Sequence, residues 1–172
     1  MSEVITTEDN TYLTFYLDSE LYGVNIRMVR EVLEYTPFTR VPMMADFMRG
    51  VINVRGHVVP VVDLRCKFGL DAAEKTVNSC IIIFELESDG ESSIMGALVD
   101  GVQEVLNIMP EQVEAAPRLG HRIDTRFIRG IGKLTDQFVI LLDIQAIFCL
   151  DELTAMAHLS RVEAASEEAA LA

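Results

Sequence analysis

Short runs of hydrophobic residues, separated by polar turns, follow one another along most of the chain, and the clearest example lies between residues 47 and 68. This segment reads FMRGVINVRGHVVPVVDLRCKF, with apolar runs over Val51–Val54 and Val58–Val62 on either side of a turn at Arg55-Gly56-His57. Two apolar runs joined by a short glycine-containing turn are typical of a β-hairpin. The second run ends at Asp63, which suits the N-cap of a short helix because its carboxylate can accept bonds from free backbone N–H groups.

The same pattern occurs again 80 positions further on, between residues 127 and 148, as FIRGIGKLTDQFVILLDIQAIF. The two segments align without a gap, and the identical positions are Phe47, Arg49, Gly50, Val59, Asp63 and Phe68 in the first copy, and Phe127, Arg129, Gly130, Val139, Asp143 and Phe148 in the second. Upstream, GVNIRMVREVL at Gly23–Leu33 matches GALVDGVQEVL at Gly96–Leu106. A duplication in only two copies predicts two versions of one β-rich unit, and therefore two similar small barrels.

The remaining elements are assigned from the same patterns. Two further hairpins are predicted, from Tyr12–Leu17 with Leu21–Ile26 and from Cys80–Leu86 with Ile94–Val99. Apolar residues recur at helical spacing within Arg27–Glu34, so we predict a helix of about two turns there, with its counterpart over Val102–Asn107. The pattern that the two repeats share therefore predicts strands, a short helix, a hairpin and a helical turn in each repeat.

Composition and charge narrow the class of protein. The chain has 172 residues, of which 50% are hydrophobic, and a formal net charge of −13. An acidic chain gains nothing from counterion release on a phosphate backbone, which argues against nucleic acid as a partner. No apolar run approaches the roughly 20 residues that a membrane-spanning helix needs, and the acidic N-terminus lacks the features of a secretory signal. We expect a cytoplasmic protein whose three cysteines are reduced core thiols.

Catalytic and metal-binding motifs are missing from the sequence. The histidines at 57, 121 and 158 are isolated, and there is no phosphate-binding loop, nucleophile elbow or HExxH helix. No cofactor and no metal are therefore expected. A small acidic hydrolase that uses a pair of carboxylates between the barrels remains the alternative from a different class.

Four segments together resemble the CheW adaptor family of bacterial chemotaxis, which shares its fold with the regulatory domain of the CheA histidine kinase. They are YGVNIRMVREVL, FMRGVINVRGHVVPVVDLRCKF, LVDGVQEVL and FIRGIGKL. The resemblance covers residues 12 to 150 and implies an all-β fold with short helices: two five-stranded SH3-like or OB-like barrels, packed together with segments exchanged between them, plus a C-terminal helix. The expected domain spans 11–159, with repeats at 11–70 and 78–150 and the start of the helix at 151–159. Flexible tails are expected at 1–10 and 160–172.

The resemblance also implies a function without catalysis. Such an adaptor joins the cytoplasmic helical tip of a chemoreceptor to the regulatory domain of CheA in a ternary signalling array. It would be recruited from the cytoplasm to membrane receptor arrays without inserting into the membrane, and ring formation with other CheW copies is left open. A CheV-like protein would need a fused receiver domain, for which the 22 residues after 150 leave no room. One departure from the family is a longer hairpin loop at Ser88–Ser92.

Site residues follow from the positions that match the family's motifs. The receptor-binding candidates are Val29, Glu31, Val32 and Val105. The kinase-binding candidates are Arg55, Gly56, His57 and Val58. Structural roles in turns or caps are expected for Gly50, Asp63, Gly96, Gly130 and Asp143. Arg55 should project into solvent from the hairpin tip, where its planar guanidinium suits a partner's carboxylate or carbonyl groups.

Overall fold

The structure is a computed structural model that describes residues 9–42, 48–68, 70, 76–88, 90–115 and 125–148. Within these ranges the strands are β1 Thr11–Leu17, β2 Glu20–Asn25, β3 Val29–Glu34, β4 Met48–Val54, β5 His57–Asp63, β6 Cys80–Ser88, β7 Glu91–Val99, β8 Gly101–Asn107, β9 Val113–Glu114, β10 Ile128–Lys133 and β11 Phe138–Leu142. The helices are short: α1 is Leu64–Lys67, α2 is Ile144–Ile147, and 3-10 turns lie at Ile26–Met28, Pro110–Gln112 and Thr125–Phe127. The predicted C-terminal helix, the tail 160–172 and residues 1–8 lie outside the described ranges.

The strands form two sheets that exchange segments between the repeats. The first barrel has the order β3-β6-β7-β5-β4, and the second has β8-β1-β2-β11-β10-β9. The first barrel combines three strands of the first repeat with β6 and β7 of the second, and the second barrel combines four strands of the second repeat with β1 and β2 of the first. The expected exchange is confirmed, and β9 adds a sixth strand to the second sheet.

The duplication extends to the strand register. In the first barrel β5 runs parallel to β7 with Val61 opposite Gly96, and in the second barrel β11 runs parallel to β2 with Leu141 opposite Gly23. These are equivalent positions of the two repeats. Both glycines allow close packing at the parallel pairing, because a Cβ at Gly96 would lie 3.1 Å from Ile81 and Val61, and a Cβ at Gly23 would lie 3.1 Å from Leu141 and Val139.

Both predicted short helices are wrong. Residues 29–34 form β3, which follows a single 3-10 turn at Ile26–Met28, and residues 101–107 form β8. The burial of β3 alternates residue by residue, with Val29, Glu31 and Leu33 more buried than their neighbours. Six residues are too few to separate a period of 2 from a period of 3.6 when β-branched residues are present, and pairing with β6 decides the outcome.

The two hairpins differ in detail from their predicted form. His57 is the first residue of β5, which leaves a two-residue turn at Arg55-Gly56. The segment 88–92 is mostly strand, because the β6–β7 ladder continues as far as Ser88 opposite Glu91. The segment predicted as a long hairpin loop is therefore largely strand.

Three clusters of apolar residues hold the barrels together. One lies inside the first barrel and includes Val59 and Val61, and another lies inside the second barrel and includes Val139 and Leu141. The third and largest lies between them: Leu13, Phe15, Leu17, Tyr22, Val24, Met48, Val62, Leu64, Phe68, Ile82, Phe84, Leu86, Met95, Ala97, Val99, Leu142, Ile144, Ile147 and Phe148. Because most of the buried apolar surface is shared, the two barrels form one packed unit.

Candidate functional site

The candidate site is the tip of the β4–β5 hairpin together with the adjacent edge strand β3. Arg55 has φ 53° and Gly56 has φ 86°, so both residues of the turn adopt the left-handed region. Such turns match the twist of a hairpin and favour Asn-Gly. The side chain of Asn53 stabilises the turn by accepting a hydrogen bond from the backbone N–H of Gly56 at 2.9 Å. The guanidinium of Arg55 is thus displayed at a position whose backbone favours another residue type.

Arg55 forms an ion pair with Glu31. The Arg55 side chain is 79% exposed, and its Nη2 donates to Oε2 of Glu31 at 3.1 Å. Projection of Arg55 into solvent was expected, but this partner was not. Glu31 is only 21% exposed and sits on the edge strand of the first barrel. The pair occupies one arm of the guanidinium fork, so other N–H donors still face outward.

A shallow, open cavity of about 240 Å³ lies beside this pair, lined by Arg30, Glu31 and Arg55. A narrower apolar cleft continues from it, to which His57 and Ile83 also contribute. Arg30 was not among the predicted site residues. Its guanidinium lies 3.8 Å from the carboxylate of Glu85 on β6. Nothing in the neighbouring sequence indicates that Arg30 also lines the cavity beside the hairpin tip.

Exposed valines flank the charged groups. Val58 is 54% exposed on β5, and Val32 is 40% exposed on β3. Val29 is partly buried and packs against the large central cluster, so it does not form an apolar spot with Val32. The structure therefore brings Glu31 together with Arg55, which were assigned to different partners, and separates Val29 from Val32, which were assigned to the same one.

The second barrel presents a different surface at the equivalent positions. Phe138, which aligns with Val58, is 63% exposed, and Val105, which aligns with Val32, is 51% exposed. Thr135 aligns with Arg55, so no guanidinium is present at that hairpin tip. Phe138 was missed in the sequence, although its alignment with Val58 was a usable signal. The first surface therefore carries the Arg55–Glu31 ion pair, and the second has Thr135 and the exposed Phe138 at the matching hairpin positions.

Asp63 and Asp143 form the helix caps that the sequence predicts. Asp63 is buried and caps α1 by accepting from the backbone N–H of Arg65 at 2.9 Å, and it also lies 3.7 Å from Nε of Arg49. Asp143 caps α2 in the same way, accepting from Ala146 at 3.1 Å. Burial, reinforced by the nearby Asp63 carboxylate, raises the pKa of the Cys66 thiol. This thiol therefore stays protonated and unreactive at neutral pH.

Two glycines mark close approaches of the backbone. Gly50 has φ 143°, and a Cβ there would lie 2.4 Å from the carbonyl oxygen of Thr39, which bridges to Val51. At Gly130 a Cβ would lie 2.6 Å from a methyl group of Val113. Gly50 thus admits the segment at Thr39 to the edge of the first sheet, and Gly130 admits β9 to the edge of the second. Gly50, Gly96 and Gly130 lie inside β4, β7 and β10, so the predicted turn or cap role is wrong for these three residues.

In the part of the chain that the structure describes, the carboxylates of Asp18 and Asp100 approach each other at the guanidinium of Arg65, which lies 3.8 Å from the first and 2.7 Å from the second. Asp63 is the buried carboxylate within the described residues, and helix capping engages it. No three His, Cys, Asp or Glu side chains of the described ranges are grouped so that they could hold an ion. No described helix is long and apolar enough to cross a bilayer.

Two barrels with exchanged strands, each with a differently built hairpin tip and edge strand, define a module for protein–protein interaction. The chain belongs to the CheW-like domain family, whose model matches residues 11–152. It is 32% identical over 155 residues to chemotaxis protein CheW of Klebsiella aerogenes, which covers 90% of this chain and 91% of that protein. It is 31% identical over 140 residues to a probable chemotaxis protein CheW of Rhizobium etli, which covers 81% and 88% of the two chains.

A solved structure shows the same architecture. The scaffolding protein TtCheW of Thermoanaerobacter tengcongensis superposes with a TM-score of 0.72 and 35% sequence identity, over 82% of this chain and 88% of that one. The family and this neighbour point to a scaffold in chemotaxis signalling that is not catalytic.

Proposed function

We propose that the protein is a non-catalytic adaptor that couples the cytoplasmic tips of chemoreceptors to the CheA histidine kinase. Membership of the CheW-like family supports the role in chemotaxis. The adaptor would act in the cytoplasm and be recruited to receptor arrays at the membrane. No observation on the described residues favours the hydrolase alternative.

The observation that carries this proposal is the difference between two equivalent surfaces. Duplication gave both barrels the same edge strand and hairpin, yet one tip carries Arg55 and the other carries Thr135. The fold closes without a guanidinium in the second barrel, so the first barrel does not need one for folding. The first hairpin tip therefore offers a partner a charged contact that the second tip does not have, and such a difference supports selective binding.

In this proposal the hairpin tip, residues 55–58, contacts the kinase. The exposed guanidinium of Arg55 would pair with a carboxylate or carbonyl group of the kinase, and Val58 would provide apolar contact beside it. The receptor helix would contact the edge strands through Val29, Glu31, Val32 and Val105. The Glu31–Arg55 pair then lies where the two contact areas meet.

The test is quantitative binding with purified components. Calorimetry should detect binding of the chain to the CheA regulatory domain and to a cytoplasmic chemoreceptor fragment, and a kinase assay should show receptor-dependent phosphorylation only when the adaptor is present. Arg55→Glu should weaken kinase binding, and Val105→Glu should weaken receptor binding. Wild-type protein that bound neither component would refute the proposal, and a melting-temperature increase with a small-molecule substrate would favour an enzyme instead.

A further inference from the structure

Thr14 is a buried polar residue in the middle of an apolar strand. It is 0% exposed in β1, between Leu13 and Phe15. Its hydroxyl donates to the carbonyl oxygen of Glu104 at 2.6 Å and accepts from the backbone N–H of Glu104 at 3.2 Å. The side-chain oxygen of Gln103 lies 3.5 Å away, but a hydroxyl has one proton, and the shorter contact takes it. One side chain therefore satisfies both backbone groups of Glu104.

This arrangement replaces part of the strand ladder. Leu13 pairs with Val105 and Phe15 pairs with Val102, so Thr14 alone faces two residues of β8, Gln103 and Glu104. Such a bulge leaves backbone groups without ladder partners and redirects the side chains next to it. The hydroxyl of Thr14 closes the bulge by bonding to Glu104.

The first barrel has an aliphatic residue, without a hydroxyl, at the position equivalent to Thr14. The pairs Ile82–Val32 and Phe84–Val29 correspond to Leu13–Val105 and Phe15–Val102, which places Ile83 at the position of Thr14. The register shifts there too, between Val29 and Glu31, but Ile83 keeps Glu31 as its ladder partner. The fold therefore accepts an aliphatic residue at this position. Thr14 has no ladder partner in β8, and its hydroxyl bonds to Glu104 instead.

The bulge carries an exposed part of the edge strand. Val105 is 51% exposed directly after Glu104, and β8 is the last strand of its sheet. No cation of the described residues forms an ion pair with Glu104, in contrast to Glu31, which pairs with Arg55. We propose that Thr14 is a positioning residue, whose hydroxyl holds the backbone of Glu104 so that Glu104 and Val105 are presented to the receptor. This inference rests on the proposed receptor-binding role of Val105.

The experiment compares Thr14→Val, which removes the hydroxyl at nearly constant shape, with Thr14→Ser, which keeps it. The probe is a purified cytoplasmic chemoreceptor fragment, with affinity measured by calorimetry at a temperature where every variant is folded. Amide hydrogen exchange at Glu104 reports the hydrogen bond directly. We expect Thr14→Val to speed this exchange and weaken receptor binding by about five- to tenfold, as for the loss of one net hydrogen bond. Thr14→Ser should retain both properties.

Two controls separate positioning from stability and from the proposed function. Ile83→Val changes the equivalent core position of the first barrel and should leave exchange at Glu104 unchanged. Val105→Glu should weaken receptor binding while exchange at Glu104 stays slow. Faster exchange in Thr14→Val with wild-type affinity would overturn the positioning role alone, as would unchanged exchange. Absence of receptor binding by the wild-type protein would instead overturn the proposed function, and the positioning role with it.

Discussion

Replacing Arg55 with Asn should separate what this residue does for binding from what it does for folding. The turn holds Arg55 at φ 53° and Gly56 at φ 86°, and a turn with both residues in this region favours Asn-Gly. Asn tolerates the left-handed region better than other residues that carry a Cβ. Arg55→Asn therefore relieves the backbone and removes the guanidinium in a single step.

Two opposing terms set the effect on stability. An ordinary residue in the left-handed region costs about 1 kcal/mol, part of which Asn recovers. Against this, the variant loses the ion pair with Glu31, which contributes no more than about 0.5 kcal/mol because the Arg55 side chain is 79% exposed. The free energy of unfolding should therefore stay unchanged or rise by up to about 0.5 kcal/mol. If a partner desolvates the guanidinium, its loss should cost about 2 to 5 kcal/mol of binding free energy.

Urea unfolding and calorimetric titration with the CheA regulatory domain measure the two quantities on one purified variant. Lys133→Gln is a matched control, because Lys133 also forms an exposed ion pair, with Glu114, near the tip of the second hairpin. It should change neither quantity by more than about 0.5 kcal/mol. A loss of more than about 1 kcal/mol of stability in Arg55→Asn, or wild-type kinase affinity, would refute the reasoning.

Two further predictions concern the same region. Glu31→Lys places a third cation beside Arg30 and Arg55, so it should lower both the free energy of unfolding and the receptor affinity. Adding Arg55→Glu should restore the stability, and a double-mutant cycle by urea unfolding should give a coupling of about 0.5 kcal/mol. Zero coupling would show that the pair is not formed in solution. Gly50→Ala should lower the free energy of unfolding by more than about 2 kcal/mol, because its Cβ would meet the Thr39 carbonyl. Gly56→Ala has open space around the new Cβ and should lower it by about 1 kcal/mol. Equal midpoints of urea unfolding for the two variants would contradict this ranking.

The duplication predicted two similar small barrels because the chain contains the unit twice, whereas the exchange of strands was implied only by the resemblance to the CheW family. A single copy of the segment 47–68 indicates only a hairpin, but the gapless second copy showed which positions the fold requires. Asp63 and Asp143 recur because each caps the helix that follows its hairpin. Arg55 and Thr135 differ because the turn only has to reverse the chain.

The elements that were predicted wrongly are short strands whose pairing partners lie far away in the sequence. β3 and β8 were predicted as helices because VREVL and VQEVL fit either period, and the deciding factor is pairing with β6 and β1, which lie far away in sequence. The Arg55–Glu31 ion pair was not predicted from the sequence for a related reason. Its partners are 24 residues apart and meet only when the first barrel closes, so no local pattern records the contact.

Strand exchange also determines what the adaptor can do mechanically. The first barrel takes β6 and β7 from the second repeat, and the second barrel takes β1 and β2 from the first, so neither repeat holds a complete sheet. Phe15, Phe68 and Phe148, drawn from both repeats, are buried in the shared central cluster. Separating the barrels would therefore expose this apolar cluster to water, which is unfavourable. The two hairpin tips are therefore held by one shared core, and under the proposed function this core would fix the placement of the kinase relative to the receptor.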